Sequence, residues 1–413
     1  MEKVETVVIG AGQAGLALSR YLTAAEHEHV LLEQGQVAQR WRSERWDSFR
    51  LLTPNWQTRL PGHRYRGPAP EGFMRRDAVV RFFDEYAQSF SAPVMTDVRV
   101  RRVAPYAGRW RVWTSRGTYD AARVVVATGH YAAPRRPAFA DRLASGVHQL
   151  FTRDYRSPDR LPDGAALVVG AGPSGQQVAS ELARSGRRVF LAVGRHRPLP
   201  RRYREQDVYW WLDRMGLLTR TIDTLENPHL AGTGPSAVLS GEPEDLDLRH
   251  LVGHGVVPLG HLRDADGTSL SFADDLLSSL VAADRHTAGF RTRVDDYVER
   301  AGLRVQPQDP AEAPIPAWAL GAPTVVNTSR ERIATVIWAA GYRRDYSWIA
   351  APVFTPSGEP IQRRGITRAP GLMFLGLRFM YRRNSNFIDG VGADAAYLAR
   401  RITGSELVEP AVA

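Results

Sequence analysis

The chain has 413 residues, of which 43% are hydrophobic and 24% charged, and a formal net charge of +10 at pH 7. That length supports two or three domains, no apolar run approaches a membrane span, and the absence of cysteine excludes disulfides, thiolate metal sites and a redox-active dithiol. Lys3 is the only lysine and the arginines are scattered along the chain, a pattern that argues against a nucleic-acid surface.

Val4 to Ile9 reads as a buried parallel strand. It begins so close to Met1 that a signal peptide has no room, and a cytoplasmic protein is expected. Directly after it comes the glycine fingerprint Gly10-Ala11-Gly12-Gln13-Ala14-Gly15. Leu16, Ala17, Leu18, Tyr21 and Leu22 then carry helical spacing, and a second strand, Val30 to Leu32, ends at Glu33-Gln34. In such a unit the first glycine makes the tight turn and the second lets a pyrophosphate approach the backbone. The third lets helix and strand pack closely. An acid about 20 residues on accepts hydrogen bonds from a ribose with a free 2′-oxygen, the role that Glu33 fits.

Trp110 to Thr114 and Arg123 to Ala127 read as further strands, the latter ending in Thr128-Gly129. Pro134 and Pro137 mark an extended linker. The second unit repeats the first: Ala166 to Val169, then Gly170-Ala171-Gly172-Pro173-Ser174-Gly175, a helix through Val178 and Leu182, and a strand from Arg187 to Val193. Val193 stands where the first unit has Glu33, and Gly194-Arg195-His196-Arg197 follows. Without the acid a 2′-phosphate is not repelled, and arginine can pair with one through two parallel hydrogen bonds. The first unit therefore reads as an FAD site and the second as an NADPH site.

From Pro198 to Gln308 the pattern is less regular, with an aromatic helix over Val208–Leu212 and another helix over Asp274–Leu280. Ile333 to Gly341 is an apolar strand ending in small residues, Gly371 to Gly376 another, and a final helix starts near Asp389. The expected fold is α/β, a flavoprotein with two dinucleotide-binding domains. An NADPH Rossmann-like domain (156–330, with a partly helical insertion at about 198–308) is inserted in an FAD Rossmann-like domain (1–155 and 331–413).

These residues resemble the single-component (class B) flavin-dependent monooxygenases, in their bacterial flavin-containing subgroup. Besides the two fingerprints, the resemblance rests on Arg45 to Trp56, Ala127-Thr128-Gly129, Ala339-Ala340-Gly341-Tyr342, Asn384-Ser385-Asn386 and Gly390 to Ala395. It covers nearly the whole chain. One element departs: in the family's linker motif, aligned here with Phe139, Gly146, Phe151 and Tyr155, Phe151 replaces a histidine, and His148 lies three residues too early.

The resemblance implies that NADPH reduces FAD, that a C4a-(hydro)peroxyflavin forms with dioxygen, and that a small organic substrate is oxygenated. The outcome is N- or S-oxidation, N-hydroxylation or Baeyer–Villiger oxidation. It makes Asn55 the candidate catalytic group and packs Trp41, Arg42, Trp46 and Val98 along the FAD. Trp210, Asn384, Ser385 and Asn386 are the substrate-side candidates. The alternatives are an NADPH reductase or oxidase without oxygen insertion, and a non-enzymatic flavoprotein linked to ion transport. The first is weakened because Leu377, not aspartate, follows Gly376. No metal is expected, and a homodimer is left open.

Overall fold

The computed structural model describes residues 1–228, 231–232, 234–308 and 314–404. In chain order the elements that build the site are β1 (Glu2–Ile9), α1 (Gln13–Ala24), β2 (His29–Leu32), β3 (Gly117–Val126), β4 (His148–Phe151), β5 (Ala165–Val169), α2 (Pro173–Arg184) and β6 (Val189–Ala192). They continue with α3 (Val208–Arg214), β7 (Val256–Leu259), α4 (Leu276–Ala301), β8 (Ile333–Trp338), β9 (Leu372–Phe374) and α5 (Val391–Thr403).

Two sheets carry the molecule, one mixed and one parallel. The first runs Gln362–Arg363, Ile366–Thr367, β9, β3, β1, β2 and Val94–Met95; the first two of these pairings are antiparallel and the rest parallel. An antiparallel hairpin, Val100–Tyr106 with Arg109–Thr114, joins it along β3. The second sheet has the order β4-β8-β5-β6-β7, parallel throughout. Strands covered on both faces need apolar residues in an unbroken run, not in alternation. That is the pattern of β5, all of whose residues are buried, and of Val7, Val8 and Ile9 in β1.

The two sheets repeat one plan: glycine loop and helix follow the central strand, and the next strand pairs beside it. β3 flanks β1 as β8 flanks β5. Gly10 and Gly170 turn at φ of +106° and +113°, and a Cβ there would meet Ala127 O at 2.9 Å or Ala339 O at 2.6 Å. The Ala127-Thr128-Gly129 and Ala339-Ala340-Gly341 segments are therefore equivalent pieces of the two units.

The sheets move the expected boundaries. β8 pairs with β5 and β4, so Ile333–Trp338 belongs to the second sheet and not to the returning first unit. β4, expected before the boundary at 155, also lies in the second sheet. Chain inserted in the first unit thus runs from about β4 to β8. Within the stretch taken as an insertion, Val256–Leu259 is a strand of that same sheet, pairing with β6. The chain returns to the first sheet at β9, and α5 packs against α1.

Phe151 pairs in register with Trp338 and packs on the apolar face of the second sheet, while Tyr155 is fully buried. His148 is exposed at the start of β4. The aromatic in the histidine position is thus a core contact between linker and second sheet.

Candidate functional site

Both glycine loops end in uncapped helices. α1 begins after Gly12 and α2 after Gly172, each without a side-chain cap or an acid in its first turn. Their first N–H groups are therefore free to meet an anion, and the helix dipole adds to the attraction. At Gly12 and Gly172 a Cβ would meet nothing within 4 Å, whereas at Gly15 it would lie 1.9 Å from Gly10 O and at Gly175 1.8 Å from Gly170 O. One glycine in each loop leaves open space and the third closes the strand–helix contact. A pyrophosphate fits that division.

The two loops face one cleft of ≈ 2290 Å³. A drug-sized ligand needs roughly 300–1,000 Å³, so this volume has room for more than one such molecule. Of the expected cofactor residues, Gly10, Gly12, Gln13, Ala14, Glu33, Gln34, Trp41, Trp46 and Val98 line it, as do Ala127, Thr128 and Gly129. From the second unit Gly170, Gly172, Pro173, Ser174, Arg195 and Arg197 line it. Ala11, Gly15 and Gly175 lie behind the loops as packing residues. The Glu33 carboxylate accepts the N–H of Ala11 at 2.9 Å and of Gly35 at 3.3 Å. A carboxylate has about four acceptor positions, so it can still take a ribose hydroxyl.

Several expected residues are elsewhere. The Asn55 side chain is buried and donates to Ala69 O at 2.9 Å, tying down the loop whose Gly72 O accepts the Asn55 N–H; it does not line the cleft. Arg42 makes an ion pair with Asp84 and donates to Val37 O, pointing away from the cleft. His196 is buried, its Nδ1 paired with Gly194 O, and burial lowers its pKa, so it offers no charge to a phosphate. Trp210 packs edge-on against Trp211 beneath Arg214. It is Tyr209 and Leu212 of the same helix that reach the cleft. Ser385 Oγ accepts the N–H groups of Tyr381 and Arg382, and Asn384 donates to Asp389. Both are turn-builders off the cleft; only Asn386 lines it, its carbonyl accepting from Gln13.

Other cleft residues were not singled out from the sequence. His130 follows Gly129 directly, and that position was the available signal. Burial and the nearby Arg344, Arg378, Arg40 and Arg45 push its pKa down to about 3, so the imidazole is neutral. Arg378 and Arg383 line the cleft from the segment after β9, and burial lowers the pKa of both. Arg201, half of a basic doublet in the sequence, is not surface charge. It is 1% exposed, paired with Asp207, and donates to Leu52 O at 2.8 Å and Ser240 O at 3.2 Å, so it joins the two units. Ser48 to Glu181 at 2.8 Å and Arg153 to Glu44 at 2.9 Å add two further links.

The model of the pyridine nucleotide-disulphide oxidoreductase family matches residues 7–214, which span the first glycine loop, the second and the aromatic helix α3. The chain belongs to this family. Within it the chain stands with the class B flavin monooxygenase-like proteins. It is 32% identical over 406 residues to an uncharacterized CzcO-like oxidoreductase of Geobacillus kaustophilus, covering 97% of this chain and 98% of that protein. It is 27% identical over 314 residues to the indole-3-pyruvate monooxygenase YUCCA1 of Oryza sativa subsp. japonica, covering 72% and 76%. Its fold is similar to that of a flavin-containing monooxygenase from Stenotrophomonas maltophilia, with a TM-score of 0.68, 20% identity and 98% and 99% coverage. Membership in the pyridine nucleotide-disulphide oxidoreductase family implies an oxidoreductase that binds FAD and NAD(P)H. The disulphide chemistry in the family's name has no thiol to work through here, since the sequence contains no cysteine. Among the described residues no helix is long and apolar enough to cross a membrane.

Proposed function

We propose that the protein is an NADPH-dependent flavin monooxygenase that oxygenates a small organic molecule. The observation that carries this reading is the pairing of two open glycine loops across one cleft, with an acid at the end of β2 and arginines after β6. Gly10 to Gly15, Glu33, Gln34 and Val98 would hold FAD, with Trp41 and Trp46 beside it. Gly170 to Gly175 would hold the NADPH pyrophosphate. Arg195 and Arg197, exposed and without ion pairs among the described residues, would take the 2′-phosphate.

Bound FAD supplies hydride acceptance and dioxygen activation, which no side chain here can provide. The chain's own residues orient the two dinucleotides and keep water from the reacting region. Tyr209, Leu212, Leu218, Phe290 and Phe387 give the cleft an apolar wall suited to that exclusion. His130 stays neutral at physiological pH and offers a hydrogen-bonding group without a charge. Asn55, tied to Ala69, is not part of this assignment.

Incubating the FAD-loaded protein with NADPH and isotopically labelled dioxygen, over a panel of amines, thioethers and ketones, tests the reading. One label atom in a product, with hydrogen peroxide well below the NADPH consumed, is the expected result. Stoichiometric peroxide with every candidate, and no labelled product, would assign the protein to the oxidases.

A further inference from the structure

The segment that leaves β9 crosses over the start of α1, where Gln13 donates to Asn386 O at 3.2 Å. It carries Arg378 and Arg383 into the cleft, both half-buried and without an ion pair or side-chain hydrogen bond among the described residues. Opposite stands one face of α4: His286, Phe290 and Arg293, at helical spacing, all line the cleft. Arg383 faces Arg293, Arg378 and Arg197 as like charges, with Tyr209 beside it. His286 in turn faces Arg197, Arg293 and Arg383, and its burial together with these charges lowers its pKa.

Cations gathered without counter-charge repel one another, and burial adds a desolvation cost. Such a group is relieved by an anion. The dinucleotide phosphates already have seats: two helix N-termini with open space at Gly12 and Gly172, and Arg195 with Arg197 beyond β6. Arg383 reaches the cleft from the other unit, and beside these arginines its neighbours are aromatic. Tyr209 and Phe387 meet edge to face at 6.3 Å, and Phe290 is fully buried below them.

We infer that Arg383 and Arg293 seat the carboxylate of a small organic acid, whose apolar body lies against Tyr209 and Phe387. This names a substrate class for the monooxygenase reading and rests on that reading for the word substrate. The seat itself is a binding property. Arginine suits it because its fork matches a carboxylate with two parallel hydrogen bonds.

The test is equilibrium binding to the FAD-loaded protein under air and without NADPH, followed by perturbation of the flavin spectrum. Phenylacetate and hexanoate are titrated against phenylacetamide and hexanamide, with and without saturating NADP⁺. The acids are expected to bind at least about tenfold more tightly than their amides. That preference is expected to survive with NADP⁺ bound. Arg383→Gln and Arg293→Gln are each expected to reduce it to near unity; Arg293 is exposed on α4, so its replacement spares the fold. Equal binding of acid and amide would overturn the assignment. So would loss of the preference once NADP⁺ is bound, which would return these arginines to the dinucleotide phosphates. Because no turnover is measured, the titration tests the seat alone, and the labelled-dioxygen experiment tests the monooxygenase separately.

Discussion

Asp389 follows Ile388 at the cleft's edge, accepts from the Asn384 amide at 3.4 Å, and is pushed by burial up to about 6, against a weaker opposing pull from Arg59. The folded state therefore binds this proton more tightly than the unfolded chain, whose aspartate titrates near 3.8. Below 3.8 both states are protonated and the carboxyl is tolerated. As pH rises from 3.8 through about 6 its burial increasingly opposes folding. Asp389→Asn is thus expected to raise stability at pH 7 by about 1–3 kcal/mol, a gain that fades as pH falls from about 6 toward 3.8. Denaturant melts of both proteins at pH 7 and pH 4 measure this; equal stabilities at pH 7 would contradict it. Single residues were legible in the sequence where the backbone alone decides their role. Gly10 must turn at positive φ and Gly15 must clear Gly10 O, and both facts follow from a local strand–turn–helix. Asn55 was misplaced because its partner, Ala69, reaches it through a loop whose return no local pattern encodes.

The ends of β2 and β6 show what an element contributes to cofactor choice. The strands are equivalent in their sheets, yet Glu33 ends one, and Val193 followed by Gly194-Arg195 ends the other. Arg195→Ala is expected to raise the KM for NADPH about ten- to a hundredfold and to leave that for NADH within about twofold. Steady-state kinetics with both nucleotides decide it, and parallel changes in the two would contradict the 2′-phosphate role. The helix Val208–Arg214 was readable because its Asp207 cap and its aromatic run are local; Asp207 accepts the Tyr209 N–H at 2.8 Å. α4 was read only as far as Leu280, yet it continues to Ala301. Its apolar stripe of Leu276, Leu280 and Ala283 is broken at Thr287, which donates to Pro198 O, before Phe290 and Val294 resume it. The sheet membership of β4, β7 and β8 is not legible locally, because it depends on pairing between segments far apart in sequence.

At the scale of the whole molecule, two copies of one α/β plan are held face to face by polar links. The buried Arg201 bonds Asp207 and Ser240 in one half and Leu52 in the other, with its guanidinium over the Phe73 and Tyr209 rings. Breaking a buried pair by removing one partner is costly, so loss of Arg201 or Asp207 would weaken this link between the halves. The repeated glycine loop declared that plan in the sequence and Arg195 and Arg197 could be picked out there, but the shared cleft and its Arg293, Arg378 and Arg383 came only from the folded chain. In the proposed function the first loop holds FAD and the second holds NADPH, close enough for hydride transfer. Anaerobic titration with NADPH tests it most directly, on the FAD-loaded protein and on Gly172→Val, whose side chain enters the open space of the second loop. One equivalent of NADPH is expected to bleach the wild-type flavin, whereas the variant should retain its flavin, bleach with dithionite and resist NADPH. Bleaching of the Gly172→Val flavin by NADPH at the wild-type rate and stoichiometry would contradict the account.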